Sequence, residues 1–123
     1  MKQLQNRWFS YYLFCSISWF LVVVYLLIFY RSKDINSTVA NLDKVIHFVL
    51  FFIQCYFISR AYFSLYNIKK VPLKIIISVL IFCCTIELLQ IGIPYRSFDV
   101  NDLFANIFGS VGGSIFGYIL VSK

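Results

Sequence analysis

The sequence predicts an all-α membrane protein: a compact bundle of four transmembrane helices with both termini in the cytoplasm. Hydrophobic residues make up 61% of the chain and charged residues only 13%, whereas soluble domains carry about 25% charged residues. Four apolar stretches each have roughly the 17–25 residues that cross a bilayer. They fill almost all of the 123 residues, so we predict a single domain with spans at about 8–30, 45–66, 73–92 and 103–121.

The positively charged residues predict the orientation, because short cytoplasmic loops carry an excess of lysine and arginine. Seven of the eleven basic residues fall on the side of the chain termini, and four fall on the opposite side. We therefore expect the loops 31–44 and 93–101 to face outward. The seven are Lys2, Arg7, Arg60, Lys69, Lys70, Lys74 and Lys123, and the four are Arg31, Lys33, Lys44 and Arg96.

The first stretch is predicted as an uncleaved helix, and the second as a helix that begins at a capping residue. The first exceeds the roughly 7–15 apolar residues of a signal-peptide core, and no small-residue cleavage pattern follows it. The second is predicted to begin at an N-cap, with Asn41 and Asp43 as the alternatives. Gln54 lies near the middle of this second span, where we expect its amide to bond across helices.

The third and fourth helices have clear start and stop signals. Pro72 suits the first turn of the third helix. Gly92 followed by Pro94 predicts its end, because glycine tolerates the C-cap conformation and proline cannot continue the helix. The fourth helix can be capped by Asp99 or Asn101, with an acidic residue in its first turn.

Polar residues gather at the three helix ends that should share the outer side. Glu87 lies within the third span, where a charge is costly unless it is paired or hydrated. Its candidate partners are His47, Arg96 and Lys44. Residues three or four apart share a helix face. Because the three helix ends lie at one level of the bundle, we expect the polar faces of the three helices to converge. The other residues expected at this level are Asp43, Gln90, Asp99, Asp102 and Asn106.

The fourth helix also carries a stripe of glycines. Gly109, Gly113 and Gly117 follow one another at intervals of four residues, on the face that begins with Asn106. Small residues at this spacing let a second helix approach closely. We predict a helix-packing role for them, either within the chain or in an oligomer formed through the fourth helix.

Other site types are not predicted. The cysteines form no CxxC pair, and no His or Cys lies at metal-ligand spacing from another, so we predict no metal site and no cofactor. Most basic residues flank the spans, so we predict no nucleic-acid partner. The four cysteines, at positions 15, 55, 83 and 84, are predicted to be packing residues.

The polar residues occur in a recognisable order. Residues 43–48 read D-K-x-x-H-F, residues 87–90 read E-x-x-Q, and residues 96–109 read R-x-x-D-x-x-D-x-x-A-N-x-x-G. This pattern resembles the VanZ-like family of small polytopic bacterial membrane proteins, over the chain from Asp43 to the C terminus. The family is named after an accessory protein of glycopeptide-resistance clusters linked to teicoplanin. The resemblance implies a multi-pass protein of the bacterial cytoplasmic membrane and a link to the cell envelope.

Three functional classes remain open. In the first, an outward-facing polar pocket binds or modifies an envelope substrate: a membrane lipid headgroup, a lipid-linked wall precursor or a lipoglycopeptide. There Glu87 and His47 would be an acid–base pair, and Lys44 and Arg96 would hold an anion. The second is a non-catalytic scaffold or binding protein. The third is a small proton-coupled transporter, like the small multidrug exporters of four spans. It is less favoured because those exporters carry an acidic residue deep in their first helix, and the first span here carries no charge. No hydroxyl near the outer ends stands in a triad, which weighs against covalent catalysis.

Overall fold

The computed structural model describes residues 1–29, 37–66, 73–94 and 98–121, with the side chains of residues 37–41 left out. All regular structure in these ranges is helical, which confirms the predicted fold class. Helix α1 spans Lys2–Val24 and continues into a π-helical turn at Tyr25–Phe29. Helices α2, α3 and α4 span Ser37–Leu65, Leu73–Ile91 and Val100–Ile119.

The N-terminus of α2 differs from the prediction. The helix begins at Ser37, so neither Asn41 nor Asp43 is its N-cap. The polar residues before the apolar stretch include no proline or glycine, so nothing stops the helix from extending beyond the apolar segment. As a result, Asp43 and Lys44 lie inside a helix instead of in a loop. The helix places Asp43 one turn before His47, on the same face.

The predicted C-terminal end of α3 and the predicted N-cap of α4 agree with the structure, but no described glycine has a positive φ, so Gly92 does not adopt the left-handed C-cap conformation. Helix α3 ends at Ile91, and the Gly92 amide bonds to the Leu89 carbonyl at 3.2 Å in the turn that follows. Asp99 is the N-cap of α4, and its carboxylate accepts a hydrogen bond from the Asn101 amide at 2.8 Å. Pro72 lies outside the described residues.

Side-chain contacts show how the helices run relative to one another. The Gln54 amide on α2 donates to the Ser16 hydroxyl on α1 at 2.9 Å, which confirms the predicted cross-helix bond. The Trp19 indole donates to the Leu50 carbonyl at 3.0 Å, so α1 and α2 are antiparallel. Cys83 on α3 lies 3.3 Å from the Ser110 hydroxyl on α4. Together with the site contacts below, these pairs give an up-down-up-down order.

Helix α4 packs in parallel against α2 through its glycines, in the most extensive helix contact of the described chain. A Cβ atom on Gly109 would overlap the Phe48 carbonyl oxygen, and one on Gly113 would overlap the Phe52 carbonyl oxygen. Gly117 is buried further along the same face. The glycine face is therefore occupied by α2 of the same chain, and we do not propose an oligomer through it.

Three helical segments are long and apolar enough to cross a membrane: Lys2–Phe29, Leu42–Leu65 and Leu73–Ile91. Helix α4 does not reach the same hydropathy, because its buried face is built from small and polar residues. Its outer face is apolar, with Phe104 and Phe108 exposed by 54% and 65%. The composition therefore indicates a membrane protein.

Candidate functional site

Three buried side chains from three helices form a hydrogen-bonded chain at one end of the bundle. His47 on α2 lies with its Nδ1 atom 2.9 Å from Oδ1 of Asn106 on α4. Asn106 Nδ2 in turn donates to Oε1 of Glu87 on α3 at 2.6 Å. All three residues are 0% exposed. We call this chain, His47–Asn106–Glu87, the polar relay.

The relay determines which nitrogen of His47 carries the proton. The Asn106 NH₂ group faces Glu87 and its carbonyl oxygen faces His47, the arrangement that an ionised Glu87 requires because a carboxylate only accepts hydrogen bonds. His47 Nδ1 must then be the donor, and the neutral imidazole has its lone pair on Nε2. His47 Nδ1 and Glu87 Oε1 are 3.7 Å apart, close enough for an ion pair if His47 is protonated but too long for a hydrogen bond. The two residues predicted as an acid–base pair are therefore linked through Asn106.

Hydrogen-bonding capacity is left over around the relay. His47 Nε2, Glu87 Oε2 and Asp102 Oδ1 are buried without a hydrogen-bond partner among the described residues. Buried polar atoms in folded proteins are nearly always paired, because an unpaired one keeps its desolvation cost. Three of the six such atoms in the described part of the chain thus lie at this end of the bundle, and the other three, on Gln54, Ser59 and Arg60, lie further along α2.

Two acidic residues lie beside His47. Asp43 is one helical turn before His47 on α2, and Asp102 is in the first turn of α4. One side-chain ligand atom from each of the three residues lies within 4.8 Å of the other two. The sequence argument against a metal site considered only His and Cys spacing. The i,i+4 pair of Asp43 and His47 was the available signal, but the third residue comes from another helix.

Lys44 and Asp99 lie at the rim of this end. Lys44 Nζ is 3.9 Å from Asp99 Oδ2, and the two side chains are 33% and 40% exposed. Solvent screens a pair this exposed, so the pair contributes little to stability. Arg96, the other residue predicted to hold an anion, lies outside the described residues.

Gln90 contacts a different part of the molecule from the relay. Its Nε2 atom donates to the Leu27 carbonyl at 3.3 Å, and Leu27 lies in the π-helical turn after α1. A π-helical turn replaces the i→i+4 bonds of an α-helix by i→i+5 bonds, and Gln90 adds a donor from α3 to one of its carbonyl groups. The structure thus places Gln90 at the contact with α1. The sequence offers no signal for this, because it does not reveal the π-helical turn.

A cavity of about 390 Å³ lies at the opposite end of the bundle. Arg60 on α2 reaches into this region and donates from Nη2 to the Tyr12 hydroxyl at 2.8 Å, with its guanidinium 4.8 Å from the Tyr12 ring centre. None of the relay residues lines this cavity. The residues that do are Gln5, Trp8, Tyr12, Arg60, Phe63, Ser64, Leu120 and Val121.

The fold and the relay define the class: a helical membrane protein with a buried polar site where three of its helices meet. The family model described as VanZ/LLP1 matches residues 3–121, nearly the whole chain. The chain therefore belongs to the VanZ/LLP1 family, and the match extends the resemblance found from Asp43 onward to helix α1. No curated protein and no solved structure shows significant similarity to the chain.

Proposed function

We propose that the chain is a multi-pass protein of the bacterial cytoplasmic membrane whose polar end faces outward and binds or modifies a cell-envelope substrate. The substrate class is a lipid-linked wall precursor or a lipid headgroup. The observation that carries the proposal is the set of buried atoms without described partners at His47, Glu87 and Asp102. These three atoms come from three helices and lie at one end of the bundle, which supports a site that offers them to a ligand.

The membrane position supports this substrate class. Helix α4 turns its polar face inward and Phe104 and Phe108 outward, which suits a helix surrounded by lipid. We take α4 as a fourth crossing beside the three apolar segments, and with the charge bias of the loops the proposal puts the relay near the outer surface. Lipid-linked precursors present their polar groups at that level. The family name adds a link to glycopeptide resistance, whose target is the cell wall.

The proposal gives different roles to the residues at the rim and to the residues of the relay. Lys44 would attract an anionic headgroup at the rim, and Arg96, outside the described residues, is proposed to do the same. Asp99 would hold Lys44 in place and cap α4. If the site also modifies its substrate, His47 and Glu87 are the groups that would act on it, with Asn106 aligning them.

A scaffold without ligand is the second candidate, and one observation favours it. The relay ties α2, α3 and α4 together through two hydrogen bonds. In a bilayer such bonds contribute about 0.6 kcal/mol each on average. Substitutions that keep the bonds and change the charge separate the two functions, as argued for Glu87 in the Discussion.

Substrate binding can be tested on the full chain in lipid nanodiscs. We expect native mass spectrometry to show saturable binding of a polyprenyl-pyrophosphate-linked wall precursor, and His47→Gln to weaken it at least fivefold. Arg60→Gln is the matched control, because Arg60 lies at the opposite end, beside the cavity. Equal binding by wild type and His47→Gln would contradict the proposed site, and a loss in Arg60→Gln alone would move the site to the other end.

Orientation is tested by cysteine labelling on a background without native cysteines. We expect Asn36→Cys and Ser97→Cys to react with a membrane-impermeant maleimide in intact spheroplasts, because the basic residues predict that both loops face outward. Lys123→Cys is the control and should react only after permeabilisation. Labelling of position 36 or 97 from the cytoplasmic side alone would overturn the orientation, and with it the outward-facing site.

A further inference from the structure

We propose that Asp43, His47 and Asp102 form a binding site for a divalent first-row transition-metal ion such as Zn²⁺ or Mn²⁺. One ligand atom from each residue lies within 4.8 Å of the other two. An ion bound at about 2.0–2.2 Å from each ligand holds them within about 4.4 Å of one another. The described positions are thus close to a chelating arrangement, and small side-chain rotations complete it.

The state of His47 supports this site independently of the acidic residues. Its Nδ1–H is fixed on Asn106, so the Nε2 lone pair is left without a described partner in a residue that is 0% exposed. Metal-binding histidines commonly donate their second ring N–H to an oxygen acceptor, which fixes the tautomer and the ring orientation. Here the Asn106 carbonyl is that acceptor, and Glu87 fixes Asn106 in turn.

Asp102 also has a buried side-chain atom without a described hydrogen-bond partner. The residue is only 8% exposed, and its Oδ1 atom has no hydrogen-bond partner among the described residues. A buried carboxylate oxygen without a donor is costly, and a bound cation would offset that cost. Asp43 is partly exposed beside it, so an ion can enter from the solvent side.

The charge at this end of the bundle also favours a cation. Four of the five acidic residues of the chain lie here. Lys44 is the basic side chain described among them, and its single positive charge, 3.9 Å from Asp99, offsets at most one of these negative charges. The four acidic residues are Asp43, Glu87, Asp99 and Asp102.

The ligand types indicate which ion binds. Imidazole suits Zn²⁺ and its neighbours in the first row, and carboxylates suit harder ions such as Mn²⁺. No cysteine belongs to the cluster, so the soft ions that require thiolates are disfavoured. Three protein ligands leave coordination positions for water. The inference does not depend on the proposed envelope substrate, because binding of the ion is measured without any substrate.

The single histidine of the chain makes a direct test available. The full chain is purified without a histidine tag, stripped with a chelator and loaded with Mn²⁺. We expect one bound Mn²⁺ per chain and a ¹⁴N coupling in its pulsed EPR spectrum, which only His47 can give as an imidazole ligand. Absence of stoichiometric Mn²⁺, or bound Mn²⁺ without imidazole coupling, would overturn the site in the wild-type protein itself.

Substitutions then test the two carboxylates by calorimetric titration with Zn²⁺. Asp43→Asn and Asp102→Asn keep the side-chain shape, and each is expected to weaken binding at least tenfold. Asp99→Asn is the matched control, because it removes the same charge nearby while asparagine still caps a helix. It should change affinity less than threefold. A loss of affinity in Asp99→Asn as large as in Asp43→Asn would show that Zn²⁺ is attracted by the overall negative charge and not held at this site. Unchanged Zn²⁺ binding in Asp43→Asn and Asp102→Asn would also contradict the site.

A failed metal test and a failed substrate test are distinguishable. Without Zn²⁺ or Mn²⁺ binding, precursor binding in nanodiscs can still be lost in His47→Gln, which leaves the proposed function standing. With metal bound and no precursor recognised, the ion site stands and the substrate class does not.

Discussion

Gly113→Ala is expected to destabilise the bundle by about 1–3 kcal/mol, and Gly113→Leu is expected to prevent its assembly. An added Cβ atom would overlap the carbonyl oxygen of Phe52, which belongs to the backbone of α2. Backbone atoms in a helix cannot rotate away as a side chain can, so α2 and α4 would have to separate. Separation would also pull His47 away from Asn106, which lies on the same pair of helices.

The neighbouring glycine provides the control for this effect. A Cβ atom on Gly112 would lie 3.3 Å from the ring of Phe52, a side chain that can shift. Replacing glycine by alanine inside a helix gains about 1 kcal/mol of helix propensity at either position. Gly112→Ala should therefore be neutral or stabilising, and the difference between the two variants isolates the backbone contact. It is measured as the thermal unfolding midpoint and the monodisperse fraction in detergent. Equal stability of Gly112→Ala and Gly113→Ala would contradict the close approach of α2 and α4.

The sequence predicts much of this fold because one-dimensional patterns determine it. Apolar length predicts the helices, and the four-residue spacing of Gly109, Gly113 and Gly117 predicts a smooth helix face. Which helix would pack there was not predictable, since the spacing is equally suited to α2 or to a second copy. The predicted start of α2 was wrong because local sequence also leaves that boundary open. Asn41 and Asp43 are good caps, yet nothing in the preceding residues prevents the helix from beginning earlier.

The candidate site was predictable only as a set of residues at one level of the bundle. Glu87 needs a partner in the membrane, and His47 was among its predicted partners. That Asn106 stands between them depends on the rotation of α4 about its axis, which sequence spacing alone does not give. The approach of Asp102 to Asp43 has the same origin. Gln90 was grouped with the site by its spacing from Glu87, but the carbonyl of Leu27 takes its amide.

The close packing of α4 on α2 is what allows the polar relay to form. The glycine face lets α4 lie close enough to α2 for short side chains such as Asn106 and Asp102 to reach His47. The relay then crosses to α3 through Glu87. A single glycine substitution is thus expected to damage the site through packing, whereas a relay substitution that keeps the hydrogen bonds changes the chemistry and leaves the packing intact. The variants at Gly113 and Glu87 should consequently fail in different assays.

Glu87→Gln is expected to insert and fold like the wild type and to lose function in cells. Glutamine keeps the Oε1 atom that accepts from Asn106 Nδ2, and its NH₂ group takes the place of Oε2, which has no described partner. The substitution removes the ability of the group to ionise and to exchange a proton, and little else. Glu87→Leu is the matched contrast: it leaves the buried Asn106 amide without an acceptor, which costs about 1–3 kcal/mol. We expect lower membrane expression for Glu87→Leu only.

The functional readout is a susceptibility or envelope-stress phenotype, in a strain that lacks the gene and carries each variant on a plasmid. Normal expression with a lost phenotype in Glu87→Gln assigns the charge of Glu87 to function, because the hydrogen bonds and the shape are kept. If the relay only held helices together, Glu87→Gln would behave as the wild type and Glu87→Leu would fail through folding. A normal phenotype in Glu87→Gln, His47→Gln and Arg96→Gln alike would therefore establish the scaffold function and exclude the proposed substrate site.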